Sequence, residues 1–229
     1  MKKPVFVNEH MYHIFNRGVE KRDIFMDERD YFRFIHDLYE FNNEEPAANL
    51  NYYFNTKSRS VEKRYVKRDP APRKPLVEVL VFTLMPNHYH LFLRQTRANG
   101  IVKFMQKLGT GYSNYFNKKY ERVGGLFQGR FKAVLISRES HFIYLPHYIH
   151  TNPLDLNYGS STSIDFLEGY RWSSFPDYVG KRNFPSVTKR GFILDIFGGH
   201  DKYREYTVER LKHADSEHLL NEVRDVIIE

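Results

Sequence analysis

Cysteine is absent from the chain of 229 residues, so disulfide bonds and thiolate metal ligands are excluded. No stretch approaches the roughly 20 consecutive apolar residues that a membrane-spanning helix needs, and we expect no membrane partner. The N-terminal segment MKKPVFVNEHMYHIFNRG begins with basic residues but lacks an apolar core long enough for a signal peptide. Together these absences predict a cytoplasmic protein.

Basic and aromatic residues are abundant. The net charge is +7, the sequence pI is about 9.3, and 17 tyrosines and 19 phenylalanines stand against one tryptophan. This combination favours a polyanionic partner, most simply a nucleic acid. A basic protein without such a partner is the alternative reading. The length suits one domain with an elaboration rather than two full domains.

The order of the predicted elements indicates the fold class. Apolar periodicity and turn residues predict strand, helix, strand, strand, helix, strand and helix, with the helices over about 28–42, 100–120 and 139–152 and the last strand over 124–137. Asp27 is the expected N-cap of the first helix. This is the split βαβ plan of ferredoxin-like, or RRM-like, α+β domains. It predicts a mostly antiparallel sheet with helices on one face and the other face open for a ligand. We expect residues 1–155 to form this domain and residues 156–229 to form a C-terminal extension that packs on or near it.

Residues 43–75 differ in composition from the rest of the domain. From Lys57 to Lys74 the chain carries eight lysine and arginine residues against Glu62 and Asp69. A basic, polar insertion can contact the phosphates of a nucleic acid, or it can serve only as a solvated linker. The residues of the insertion that we expect to contact phosphates are Lys63, Arg64, Lys67 and Arg68.

The segment MPNHYHLFLR, residues 85–94, places His88 and His90 two positions apart in an apolar run. Side chains at i and i+2 of a strand share a face, so both imidazoles should point to one side and Tyr89 to the other. The His-x-His pattern alone is a weak metal signal, and two polar residues on a wet face are the alternative. On the last predicted helix, Tyr148 and Asn152 are spaced i and i+4 and therefore also share a face.

These residues suggest one site and one reaction class. Two histidine nitrogens, from His88 and His90, and the amide oxygen of Asn152 would suit Mg²⁺ or Mn²⁺, with water completing the coordination. A tyrosine beside such a cation predicts attack of the Tyr148 phenol on a phosphodiester, with the metal acting as a Lewis acid. With 17 tyrosines in the chain, a packed aromatic ring is the alternative for any one of them.

Five segments together resemble the single-tyrosine transposases of the HUH nuclease superfamily, and most closely the IS200-like branch called REP-associated tyrosine transposases. The segments are YHIFNRG, MPNHYHLFL, FQGRFKAVLI, YIHTNP and RWSSFPDY. The resemblance implies that His88 and His90 bind the divalent metal, that Asn152 completes its site and that Tyr148 is the nucleophile. It also implies nicking and strand transfer of single-stranded DNA, often with hairpins, through a 5′-phosphotyrosine intermediate and a free 3′-OH. Members act as monomers or as homodimers.

Basic residues outside the insertion are further candidates for DNA phosphate contacts, with plain surface charge as the alternative for each. They are Arg17, Arg94, Arg130 and Lys132. Tyr12 and Phe131 are candidates for stacking on unpaired bases, although buried packing is the simpler reading of both.

Two other functions remain open at the level of the sequence. A ferredoxin-like domain can bind single-stranded RNA without catalysis, as RRM modules do. A domesticated relative of the transposases could bind and nick DNA without transposing, because the chemistry and the mobility are separate properties.

Overall fold

The computed structural model describes residues 4–45, 52–55, 60–63, 72–156 and 164–212. Its strands are β1 (Met11–Arg17), β2 (Tyr52–Asn55), β3 (Ser60–Lys63), β4 (Val77–Met85), β5 (His88–Gln95) and β6 (Lys132–Ile136). Four of them form an antiparallel sheet in the order β4-β5-β1-β6, and β2 and β3 pair as a separate hairpin.

Two helices complete the split βαβ plan. Helix α1 (Glu28–Glu40) follows β1, and helix α2 (Gly100–Lys119) follows β5. Strands β1 and β4 are parallel with β5 between them, and β5 and β6 are parallel with β1 between them. This arrangement confirms the predicted ferredoxin-like α+β fold. Asp27 caps α1 as predicted, because its carboxylate accepts a hydrogen bond from the backbone amide of Asp30 at 3.2 Å.

The first face of the sheet packs on α1 and α2. Tyr89 of β5 is buried there together with Phe34 of α1 and Tyr112 of α2. Burial of a large apolar side chain contributes about 1.5–3 kcal/mol, so this aromatic core is a main source of stability. The contact between the helices requires glycine at one point, because a Cβ on Gly111 would lie 2.4 Å from the ring of Phe41.

The second face is covered in its central part, whereas an open face was expected. Phe92 of β5 and Val81 of β4 are buried there against Leu145 and Ile149 of helix α3 (Glu139–Thr151). Removing these apolar side chains from water is favourable, and α3 packs over them. The C-terminal helices join the same core; they are α4 (Ile164–Gly169), α5 (Phe175–Tyr178), α6 (Gly191–Phe197) and α7 (His200–Lys212).

The segment RWSSFPDY closes the outer edge of β4. The backbone amide of Ser174 donates to the carbonyl of Phe82 at 2.9 Å, and the amide of Leu84 donates to the carbonyl of Trp172 at 2.9 Å. An uncovered strand edge would leave such groups without protein partners, so these bonds protect the sheet. The Trp172 ring also stacks on Tyr31 of α1, with ring centroids 4.5 Å apart.

Some sequence expectations differ from the structure or lie outside it. Strand β6 is shorter than the predicted strand over 124–137, because Gly124 and Gly129 adopt φ angles of 89° and 78° and turn the chain. The expected phosphate contacts of the insertion lie outside the described residues; they are the side chain of Lys63 and residues Arg64, Lys67 and Arg68. No helix in the described part of the chain has the length and apolar character needed to cross a membrane.

Candidate active site

His88 and His90 lie on the second face of the sheet, at the start of β5. His90 is paired across the sheet with Phe15 of β1, and His88 with Arg17. Strand β4 ends at Met85 and β5 begins at His88, so the tight connection brings both histidines to one end of the sheet. The alternation expected from the sequence is therefore observed.

His90 is held by a third histidine that the sequence analysis did not identify. Its Nδ1 lies 2.9 Å from Nε2 of His13, and the two rings stack with centroids 5.1 Å apart. His90 is 3% exposed, and its Nε2 has no hydrogen-bond partner among the described residues. Burial lowers the pKa of His90 well below its usual value, and His13, His88 and Arg17 nearby add to the effect. His90 is therefore a neutral imidazole with a nitrogen lone pair available to a metal ion.

His88 is held between two amides. Its Nδ1 lies 2.6 Å from Oδ1 of Asn87, and its Nε2 lies 3.1 Å from Oδ1 of Asn152. A neutral imidazole carries one N–H and cannot donate to both oxygens. With the proton on Nδ1, the Nε2 lone pair of His88 and a lone pair of Asn152 face each other. A cation bound by both atoms would relieve this repulsion.

Tyr148 of α3 lies over the same histidines. The edge of its ring meets His90 at a centroid distance of 5.6 Å and His13 at 6.2 Å, with interplanar angles of 84° and 82°. Tyr148 is half-buried, and Asn152 follows it by one helical turn. The structure thus brings together His88, His90, Asn152 and Tyr148 within one chain.

The site contains donors that fit a small divalent cation. Two imidazole nitrogens with fixed outer-shell partners and one amide oxygen suit a metal that keeps several water ligands. No group of three or more histidine, cysteine, aspartate or glutamate residues that could hold a metal ion occurs in the part of the chain described, so the third protein donor of such a site would be the amide of Asn152. A cavity of about 20 Å³ lies beside His88 and His90, which is room for a water-sized sphere.

Helix α3 is fixed by His150, whose side chain points away from the histidine pair. Its Nδ1 lies 2.7 Å from the hydroxyl of Tyr203 on α7, and its Nε2 lies 2.7 Å from Oγ of Ser174. The Ser174 Oγ also accepts a hydrogen bond from the backbone amide of Phe82 on β4 at 3.0 Å. His150 is fully buried, and burial lowers its pKa well below the usual value. This hydrogen-bond network connects α3, the helix that carries Tyr148, to β4 of the sheet and to α7 of the C-terminal region.

The predicted phosphate contacts are distributed unequally around the site. Arg17 and Lys132 line the small cavity beside the histidines, and Lys132 lies 5.7 Å above the ring of Phe15. Arg130 is exposed just before β6. Arg94 lies at the far end of β5, where its Nε donates to the carboxylate of Glu78 at 2.7 Å. Arg94 is therefore already neutralised within the protein.

The two candidates for base stacking also differ. Tyr12 is fully buried, and its hydroxyl bonds to the backbone of Val5 and Val7 at 3.1 and 2.8 Å. It is a core residue, in agreement with the simpler reading of the sequence. Phe131 is half-buried and lines a separate cavity beside α2, where it can meet a ligand.

Comparison with known proteins gives a match to a family model and to solved structures. Residues 69–152 match the family described as "Transposase IS200 like", and this range contains all four residues of the candidate site. No curated protein matches the chain significantly.

A structure of a REP-associated tyrosine transposase bound to a REP hairpin is 10% identical, with a TM-score of 0.49, and the likeness covers 82% of this chain and 89% of that one. A provisionally assigned transposase from Deinococcus radiodurans R1 is 15% identical, with a TM-score of 0.35, over 62% of this chain and 90% of its own.

Proposed function

We propose that this chain nicks and rejoins single-stranded DNA in a metal-dependent reaction, on the basis of the match of residues 69–152 to the IS200-like transposases. The family match itself supports a transposase-type function. Within the family we assign the chain to the REP-associated tyrosine branch, because it carries the segments YHIFNRG and RWSSFPDY.

One observation carries the proposal. The Nε2 atom of His88 faces the amide oxygen of Asn152, the buried Nε2 of His90 has no partner among the described residues, and Tyr148 lies against His90. Two metal-ligating nitrogens and a nucleophile of the right type therefore meet at one end of the sheet.

The chemistry proposed for these residues is a transesterification. A divalent cation held by His88, His90 and Asn152 would polarise a non-bridging oxygen of the scissile phosphodiester. The phenol oxygen of Tyr148 gives up its proton and bonds to phosphorus, and the 3′ oxygen of the neighbouring nucleotide leaves and takes up a proton. The products are a 5′-phosphotyrosine and a free 3′-OH. Attack by another 3′-OH reverses the step and joins a new strand, so no external energy source is needed.

The proposed substrate is single-stranded DNA, in a form that contains a hairpin. Arg17 and Lys132 beside the histidines, and exposed Arg130, are placed to neutralise phosphates next to the reacting bond. Tyr148 contacts the histidines of its own chain, which supports an active site assembled in cis. Helix α3 covers the sheet face on which an RRM-like module would bind bases, and this disfavours the binding-module alternative.

A suicide-substrate assay tests the proposal. The protein is mixed with a diverse library of labelled single-stranded hairpin DNAs in Mn²⁺, Mg²⁺ or EDTA and analysed on a denaturing gel. We expect a metal-dependent protein–DNA adduct that Tyr148→Phe does not form, although this variant should still bind DNA. Tyr144→Phe, four residues earlier on the same helix, is the control and should form the adduct. DNA binding without an adduct across the library would contradict the proposal.

A further inference from the structure

A second cavity lies on the opposite side of the strand ends from the histidines. It measures about 800 Å³ and is bounded by α2 and by the segment that leads into β6. We propose that this cavity binds an unpaired nucleobase of the DNA strand and so contributes to the choice of cleavage site. The inference rests on the proposed function for its substrate, but it concerns residues outside the catalytic group.

The lining of the cavity has the chemistry that recognises a base. Neutral hydrogen-bonding side chains come from α2; they are Gln106, Thr110, Ser113 and Asn114. Amides and hydroxyls of this kind pair with the edges of unstacked bases. Phe127 and Phe131 add aromatic surface of the kind on which bases stack. The volume lies within the range of about 300–1,000 Å³ that is typical of small-molecule sites.

Charge is arranged around the cavity as a DNA strand would require. Arg130 is exposed and is the only charged residue among those described that line the cavity, so no carboxylate there would repel a phosphate. Two basic residues of α2 are engaged elsewhere: Lys107 donates to the carbonyl of Asn43 at 2.6 Å, and Lys119 forms an ion pair with Asp27 at 2.7 Å. The α2 face toward the cavity is thus neutral and polar, with one cation at its rim.

Gly109 supports the view that the cavity is kept open. It lies in the middle of α2, where glycine is a poor helix former compared with alanine. A Cβ added at Gly109 would meet no atom within 4 Å, whereas one added at Gly111 would collide with Phe41. Packing therefore accounts for Gly111 but not for Gly109, and the space above Gly109 belongs to the cavity.

The cavity adjoins the candidate active site, because the two share lining residues. Asn16 and Tyr89 line both the large cavity and the small one beside the histidines. The side chain of Asn16 donates to the carbonyl of Gly129 at 3.2 Å and so anchors the loop between the two. A DNA strand whose scissile phosphate lies at Tyr148 could pass this loop and place a neighbouring base against α2.

The test uses Gly109→Leu, which projects a side chain into the cavity without removing any side-chain group, and Gly109→Ala as its matched control. Both are combined with Tyr148→Phe, and single-stranded DNA is selected from a randomised pool in EDTA, so that binding is measured without chemistry. The preferred DNA is then remade with an abasic site at each position, and affinities are measured by fluorescence anisotropy. Thermal melting establishes that each variant is folded. If Gly109→Leu does not fold, Asn114→Leu on the exposed surface of α2 replaces it.

We expect the Gly109→Ala protein to lose about tenfold in affinity when one base is removed, and the Gly109→Leu protein to be insensitive to that removal. Equal sensitivity in both variants, or no base preference in either, would overturn the proposal. The adduct assay on wild-type protein separates the two ideas. A base preference that depends on Gly109, without any adduct, would retain the cavity and reject the chemistry. An adduct, together with a base preference that is unchanged in Gly109→Leu, would retain the chemistry and reject the cavity.

Discussion

The Nδ1 atom of His90 lies 2.9 Å from Nε2 of His13, and both side chains are buried. For His90 to offer its Nε2 lone pair to a metal, its proton must be on Nδ1, and His13 must accept that hydrogen bond. His13 would therefore fix both the orientation and the tautomer of the proposed metal ligand. Outer-shell partners of this kind typically change metal affinity by about 10–100-fold.

Replacing His13 by phenylalanine keeps a ring of similar size and removes the acceptor. We expect Mn²⁺ affinity, measured by isothermal titration, to fall by about tenfold or more. His141→Phe is the matched control, because His141 is also buried and neither of its ring nitrogens has a hydrogen-bond partner among the described residues. Equal Mn²⁺ affinities in the two variants would show that His13 only fills space.

Metal binding should also be visible as stabilisation of the folded protein. A ligand that binds only the native state raises the free energy of unfolding by about 2.7 kcal/mol at 100 times its Kd. Mn²⁺ should therefore raise the melting temperature of the wild-type protein, and His88→Ala should abolish the shift. His10→Ala, at an exposed histidine just before β1, should retain it. A shift that survives in His88→Ala would rule out His88 as a ligand.

Ser174 connects α3 to β4 through hydrogen bonds, and we expect Ser174→Ala to remove this connection. Its Oγ bonds to the buried His150 at 2.7 Å and accepts from the amide of Phe82 at 3.0 Å, so removal should destabilise the protein by about 1–3 kcal/mol. Urea unfolding measures this change in stability. At a temperature where the variant is folded, the rate of adduct formation should fall while DNA affinity is retained.

Ser173→Ala is the control for this experiment. Ser173 is also buried, but among the described residues its Oγ bonds only to near neighbours, Tyr170 and Phe175, at 3.4 and 3.2 Å. Its replacement should leave the rate of adduct formation of the folded protein unchanged. Equal rates in the two serine variants would show that Ser174 contributes to stability alone.

His147 and His150 of α3 predict a pH dependence of stability. Burial lowers the pKa of His147 to about 3, with Arg210 adding to the effect, and it lowers the pKa of His150 well below its usual value. In the unfolded chain both titrate near the ordinary value of about 6.5. Below that pH the unfolded state binds protons that the folded state cannot, so stability falls as the pH is lowered.

Each such histidine contributes a slope of up to about 1.4 kcal/mol per pH unit between the two pKa values. Urea unfolding in EDTA at several pH values between about 4.5 and 6 measures the slope. His147→Gln should reduce it by roughly one histidine's share, that is, by about 1.4 kcal/mol per pH unit. A slope identical to that of the wild-type protein would mean that His147 titrates normally when folded.

Local patterns were enough to predict much of the fold and the central residues of the site. Period-two alternation placed His88 and His90 on one face, and the i, i+4 spacing placed Tyr148 and Asn152 on one side of a helix. Asp27 identified the start of α1 by its capping chemistry. These signals depend on residues close in sequence, and periodicity reports which face a side chain occupies.

Periodicity does not report which residue lies opposite on the neighbouring strand. His13 and His90 are 77 positions apart, and only the register of β1 against β5 brings them together. Arg94 was predicted to contact phosphate because it follows the histidine strand, but β4 places Glu78 beside it. The covering of the second face by α3 depended in the same way on tertiary packing.

The register of the β-strands also decides which arginines are available to DNA. This predicts which arginine variants change the salt dependence of DNA affinity. Arg17 lines the cavity beside His88, whereas Arg94 already pairs with Glu78. Removing one cation that neutralises a phosphate should reduce the slope of log affinity against log salt concentration by about one. We expect Arg17→Gln to flatten the slope by this amount and Arg94→Gln to leave it unchanged. Fluorescence anisotropy with single-stranded DNA, in the Tyr148→Phe background with EDTA, measures both. If Arg94→Gln flattens the slope as much as Arg17→Gln, the DNA runs along β5 rather than past the loop before β6.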